Sequence, residues 1–276
     1  PELKQQTVGK ILKIIGTNIS QFCYKHDGSR ILQSCLKNGN REQRDQVYNQ
    51  LKPIFFELIL KNYSIYLALK IYKFSENKDR EVLVNECILT NFNKLIKSTN
   101  GQAFLNFISN KSTLKINDLM IDHYINKYLK MPLDIITKTF QEKSNKNISE
   151  TVLIDQESTF NEEKVRNQLT THIEKQLEKS IHKTYIFQAS LNRLFDHFDT
   201  KMKCYVSEVF DDDTDQFLYN RFGAELSCKM FTVGSTKTRK KMVKKIKDKI
   251  EELVGNEHGL VFLIKVILFC DDTKLV

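Results

Sequence analysis

The segment His26-Asp27-Gly28-Ser29-Arg30-Ile31-Leu32-Gln33 is a short polar lead into an apolar helix, and its setting recurs twice downstream. The later copies are Lys61-Asn62-Tyr63-Ser64-Ile65-Tyr66-Leu67-Ala68 and Thr99-Asn100-Gly101-Gln102-Ala103-Phe104-Leu105-Asn106, at steps of 35 and 38 residues. Between the copies lie longer amphipathic stretches. From Gln43 to Leu60, Val47, Leu51, Ile54, Phe55, Leu58 and Ile59 recur at three- and four-residue steps, the spacing of one helix face. From Asp79 to Lys97, Val82, Leu83, Cys87, Ile88, Phe92, Leu95 and Ile96 do the same. Asn38-Gly39-Asn40 supplies a turn, and Pro53 is expected to end or kink its helix. A unit of about 36 residues built this way is the mark of a stacked solenoid.

The period breaks after Lys111 and resumes at Tyr185-Ile186-Phe187-Gln188-Ala189-Ser190-Leu191-Asn192. Arg221-Phe222-Gly223-Ala224-Glu225-Leu226-Ser227-Cys228 follows, then Glu257-His258-Gly259-Leu260-Val261-Phe262-Leu263. The expected organisation is three repeats in residues 1–110, an irregular, partly helical insertion in 111–180, and three further repeats in 181–276. Glu142 to Phe160, rich in Ser, Asn, Thr and Gln, reads as a surface loop.

Composition agrees with an all-α class: 276 residues contain three prolines, nine glycines and no tryptophan. The chain opens with Pro1 and is expected to be a piece of a longer solenoid. Its formal net charge of +9 suits an anionic partner. The longest apolar stretch, Leu260 to Phe269, is too short for a membrane span and is interrupted by Lys265. The six cysteines form no Cys-x-x-Cys pair and read as free, buried thiols. The six histidines have no metal-ligand spacing, so neither a metal nor a cofactor is expected. Asn18-Ile19-Ser20, Asn62-Tyr63-Ser64 and Asn147-Ile148-Ser149 fit the glycosylation pattern and read as chance matches. There is no Gly-rich phosphate loop and no nucleophile elbow, so no catalytic residue and no small-molecule substrate is expected. His26 and Asp27 read as capping groups.

Helical repeats can read RNA, one base per repeat, because residues i and i+4 share a helix face and residue i+1 projects beside them. Ser29 and Gln33 with Arg30 make a complete set: two polar groups for a base edge and a plane for stacking. The corresponding sets expected downstream are Ser64, Ala68 and Ile65; Gln102, Asn106 and Ala103; and Gln188, Asn192 and Ala189. Ala224, Cys228 and Glu225 follow, then Gly259, Leu263 and Leu260. Only the first is complete, so recognition of a long, specific sequence is not expected. Lys25, His26 and Lys61 flank the first two sets and join the candidate RNA-binding residues. So do Lys237, Arg239, Lys240, Lys241, Lys244 and Lys245, on an amphipathic helix expected from Lys237 to Val254. The acidic run Asp211-Asp212-Asp213 with Asp215 reads as a helix-terminal or loop cluster.

Several of these segments resemble, in order, the divergent Pumilio-type (PUF) repeat proteins of the Penguin group. They are His26 to Gln33, Asn38-Gly39-Asn40-Arg41-Glu42-Gln43-Arg44, Tyr63-Ser64, Ala103-Phe104-Leu105-Asn106, Phe222-Gly223-Ala224 and Asp271-Asp272-Thr273-Lys274-Leu275-Val276. The resemblance implies an α-solenoid of three-helix PUF repeats, part of a larger curved or L-shaped superhelix. It also implies a nucleolar or nuclear factor of large-subunit (60S) ribosome biogenesis. Such a factor would bind precursor rRNA through basic surfaces with little sequence preference, alongside pre-ribosomal proteins. Ile65, Glu225 and Leu260 stand where the group often has a basic or aromatic residue, and 130–180 match weakly. Two other readings are a sequence-specific regulator of messenger RNA and a helical scaffold that binds protein.

Overall fold

The computed structural model describes residues 2–130, 133–141 and 156–270, and every regular element among them is helical. Of the segments singled out in the sequence, Asn147-Ile148-Ser149 and Asp271 to Val276 lie outside the described residues, as do residues 142–155 of the polar stretch. Residues 156–160 of that stretch belong to the helix Gln156–Glu178.

The chain forms two compact units, Pro1–Met120 and Ile121–Val276. The first holds three repeat helices, His26–Asn38, Ile65–Phe74 and Thr99–Ser109. The second holds Tyr185–Phe195, Arg221–Val233 and Glu257–Phe269. In each unit consecutive repeat helices stack side by side, the arrangement of an α-solenoid. Ahead of the second unit's repeat helices come the helix Leu133–Gln141 and the long helix Gln156–Glu178.

Within each unit, each repeat helix is linked to the next by a second helix that breaks midway. The break is a 3-10 turn at Lys52–Ile54, Asp211–Asp213 and Lys247–Lys249, and a π turn at Val84–Ile88. The continuous helix expected from Asp79 to Lys97 is therefore Asn77–Leu83, the π turn and the short helix Phe92–Leu95. Proline occupies only the first of these breaks. The kink thus belongs to the repeat, and Pro53 is tolerated there because a 3-10 turn suits its fixed φ.

Side chains on the linking helices close the ends of the repeat helices. Arg44 Nε donates to the carbonyl of Leu36 (2.9 Å), Arg80 Nε to Tyr72 (3.0 Å), and Asn117 Nδ2 to Ser109 (2.9 Å). Each donor lies eight residues beyond its acceptor and satisfies a carbonyl that the helix end leaves open. Aromatic edge-to-face pairs fill the cores: Phe55 and Tyr72 meet Phe104 in the first unit, and Phe210 meets Phe187 in the second. Such pairs add about 1 kcal/mol each beyond burial.

All six cysteines are free; Cys23 and Cys35 are buried and the others half-buried. Burial pushes the thiols of Cys23, Cys87 and Cys228 up to about 11. No described helix is long and apolar enough to cross a membrane.

Candidate nucleic-acid interface

The register of the repeats is fixed by a backbone contact. A Cβ placed on Gly28 would lie 2.1 Å from the carbonyl oxygen of Phe22, and the same distance separates Gly101 from Leu95 and Gly223 from Phe217. Gly259 packs in the same way on Leu253, whose carbonyl would be 3.1 Å from an added Cβ. In every case the partner is six residues earlier. At the second repeat the matching pair is Ser64 and Leu58, joined by a hydrogen bond from the serine hydroxyl to the Leu58 carbonyl (2.8 Å). The helix there begins only at Ile65, which leaves room for the serine Cβ.

This alignment corrects the expected sets in two repeats. Ser64 corresponds to Gly28 rather than to Ser29, and Gly259 likewise falls on the glycine position. The positions equivalent to Ser29, Arg30 and Gln33 are therefore Ile65, Tyr66 and Leu69 in the second repeat, and Leu260, Val261 and Ile264 in the sixth. Tyr66, which sequence reasoning missed, is 60% exposed. The signal that finds it is the apolar residue six positions before each glycine, a longer pattern than the local motif.

In the first unit the stacking positions stay open. Arg30 and Tyr66 are exposed on adjacent repeat helices, and Arg30 makes no ion pair among the described residues. Ser29 itself is buried, 1% exposed; its hydroxyl donates to the Tyr63 carbonyl (3.0 Å) and accepts from Gln33 Nε2 (3.2 Å). Ser29 and Ser64 both serve to hold backbone. Lys25 and Lys61 are exposed, and the Lys61 ammonium sits 3.7 Å over the Tyr24 ring. The His26 ring meets Tyr63 edge-on at 5.2 Å, and its Nδ1 lies 3.0 Å from Asp27. Asp27 therefore pairs with a side chain instead of capping the helix, whose N-cap residue is the uncapping Lys25. In the third repeat Gln102 Nε2 donates to the Ile96 carbonyl (2.9 Å), and Asn106 is half-buried.

In the fourth and fifth repeats the equivalent positions are closed, and in the sixth Leu260, Val261 and Ile264 are exposed but apolar. Gln188 is buried: its Nε2 donates to the His182 carbonyl (3.2 Å), while its Oε1 accepts from Asn220 Nδ2 (2.6 Å). Asn192 donates to Glu225 Oε2 (3.0 Å), whose other oxygen pairs with Arg221 at 2.8 Å. Ala189 and Ala224 are buried beside them. The carboxylate of Glu225 is thus spent on its neighbours, and no stacking plane is offered.

The basic helix is split into two rows. Lys241 pairs with Asp211 (3.1 Å), Lys245 with Asp212 (3.3 Å) and Lys249 with Asp215 (2.5 Å). The acidic run therefore neutralises one row of the lysines, and Asp211 is nearly inaccessible there. Lys237, Lys240, Lys244 and Lys247 form the second row and are exposed. Arg239 Nε is turned back onto the Gly234 carbonyl (3.1 Å). No group of three or more histidine, cysteine or acidic side chains with metal-binding geometry occurs among the described residues.

No known protein-family model matches the chain. It is 24% identical to Pumilio homology domain family member 6 of Schizosaccharomyces pombe, over 99% of this chain and 41% of the relative. It is 20% identical to human Pumilio homolog 3, over 100% of this chain and 41% of that protein. The chain thus spans about two fifths of the curated relatives it matches. Human Puf-A, solved alone and in complex with DNA, has the same fold, with TM-scores of 0.68 and 0.70 at 20% identity. That match covers 98% of this chain and about half of Puf-A.

Proposed function

We propose that this divergent Pumilio-like repeat protein is an RNA-binding factor that holds structured precursor rRNA during large-subunit assembly, in the nucleolus or nucleus, among pre-ribosomal proteins. One observation carries the reading. The groups that would read base edges are spent inside the protein, while a row of lysines remains at the surface. A repeat surface of this kind holds phosphates and discriminates poorly among sequences, since phosphate contacts position a strand and base contacts specify it. The crystal complex of human Puf-A with DNA, a chain of the same fold, supports a nucleic-acid partner.

Crosslinking in cells followed by sequencing of the bound RNA tests it. Ribosomal precursor fragments are the expected product. Recovery of one short motif from many messenger RNAs would favour the sequence-specific reading, which the open pair Arg30 and Tyr66 best supports. In vitro, changing Lys237, Lys244 and Lys247 together to Gln is expected to lower the log–log salt slope of binding by about 2 to 3, at about 0.7 to 0.9 per phosphate contact. An unchanged slope would remove this row from the interface.

A further inference from the structure

Within the second unit, a groove of about 730 Å³ lies outside the repeat helices. One wall is the turn at Leu129 and Lys130; the other is a face of the helix Gln156–Glu178. On that face Asn167, Gln168 and Thr171 lie between Lys164 and Lys175, at the three- and four-residue steps that keep side chains on one side, and the exposed Glu163 is the one acidic residue described in the lining, against three lysines. The opposite side of the helix buries Val165, Leu169 and Ile173 in the core, which fixes how the polar face is turned.

Three features set this groove apart from a solvated helix surface. Lys130, Lys164 and Lys175 are all exposed and make no ion pair among the described residues, unlike Lys241, Lys245 and Lys249. Lys130 holds a left-handed backbone with φ of 57°, a conformation that a residue with a Cβ keeps only where its surroundings impose it. His172 is fixed at the groove by its Nε2, 2.9 Å from the Tyr124 hydroxyl, and its ring meets Tyr124 and Tyr128 edge-on. Its Nδ1 has no partner among the described residues.

We propose that this groove takes an unpaired nucleotide of a bound RNA, with the three lysines on phosphates and Asn167, Gln168 and Thr171 on the base edge. The inference rests on the reading that the chain binds RNA. Side-chain amides offer donor and acceptor together, as base edges require, and unstacked nucleotides expose those edges. An amphipathic peptide would need apolar anchor sites, and Leu129 is the one apolar residue among those described in the lining.

The test compares two RNA hairpins, one fully paired and one with a single bulged nucleotide, using the full chain. Wild-type protein is expected to bind the bulged hairpin more tightly and to crosslink it within residues 163–175. Lys164→Gln with Lys175→Gln should weaken that binding about tenfold at 0.15 M salt and reduce the salt slope by about 1.4, leaving the paired hairpin less affected. Lys130→Gly removes a charge yet relieves the left-handed strain, so it should weaken binding of the bulged hairpin with no loss in Tm. Wild-type binding of both hairpins with equal affinity, or unchanged binding by these variants, would overturn the inference and leave the RNA-binding reading standing. If the wild-type chain binds neither hairpin, both readings fail.

Discussion

The two units use the same helices but differ at the stacking positions of their first two repeats. In the first, Arg30 and Tyr66 project into solvent from successive repeats. In the second, the matching positions are buried Ala189 and the paired Glu225, next to the buried amide of Gln188, and then Val261, exposed but with no plane to stack. The glycine contact that sets the register is the same in both, with Gly28 on Phe22 and Gly223 on Phe217. Architecture and readout are therefore separable. A repeat can lose every group that touches a base and still keep the backbone contact that makes it a repeat.

The largest test asks whether that shared contact is truly common to both units. Gly28→Ala and Gly223→Ala each force a methyl to 2.1 Å from a carbonyl oxygen. Each is expected to cost about 3 kcal/mol in denaturant unfolding of its own unit. A loss in one unit and none in the other would break the claim of a shared register.

Acid should separate the units next. Partial burial pushes His172 of the second unit down to about 4 and keeps it neutral, while His26 of the first is exposed. The folded state then binds fewer protons than the unfolded one between pH 6.5 and about 4. Stability carried by neutral His172 is present above pH 6.5 and is lost as pH falls through that window. Lowering pH from 7 to 5 should cost the second unit about 2 kcal/mol, a dependence that His172→Gln flattens. Hydrogen exchange resolved by segment would show it, and equal acid sensitivity in residues 26–109 would contradict it.

Two smaller effects sharpen the contrast at the reading positions. Gln188→Ala strands the His182 carbonyl and Asn220 and should cost about 2 kcal/mol of stability, whereas half-exposed Gln33→Ala should cost under about 0.5 kcal/mol. Conversely, Arg30→Ala or Tyr66→Ala should leave Tm nearly unchanged and weaken single-stranded RNA binding about fivefold each, or about 1 kcal/mol. Filter binding beside thermal melts separates the two outcomes. If Gln188→Ala weakened binding of folded protein more than Tyr66→Ala did, the closed and open faces would be wrongly assigned.

Much of this is legible in the sequence alone. The six lead segments mark the six repeat helices, since a polar N-terminal turn followed by an apolar stripe is a local signal. What the sequence hid is what depends on neighbours. Ser64 resembles Ser29 in sequence because both precede an apolar run, yet its hydroxyl bonds a carbonyl six residues back and marks it as the glycine's counterpart. That one-residue offset hides Tyr66 from a local motif. The lysine stripe from Lys237 was visible, but the pairing of one row with Asp211, Asp212 and Asp215 rests on a separate element, some 30 residues away. The kinks of the linking helices gave no sign except at Pro53, because they answer to packing around the repeat and need no breaker residue.

The proposed function is binding by charge and shape in place of base readout. Its most direct test is the salt dependence of affinity for a pool of structured RNAs of unrelated sequence. A steep, common slope with affinities within about tenfold of one another is the expected result. A shallow slope, with one short sequence bound a thousandfold more tightly than the rest, would contradict it.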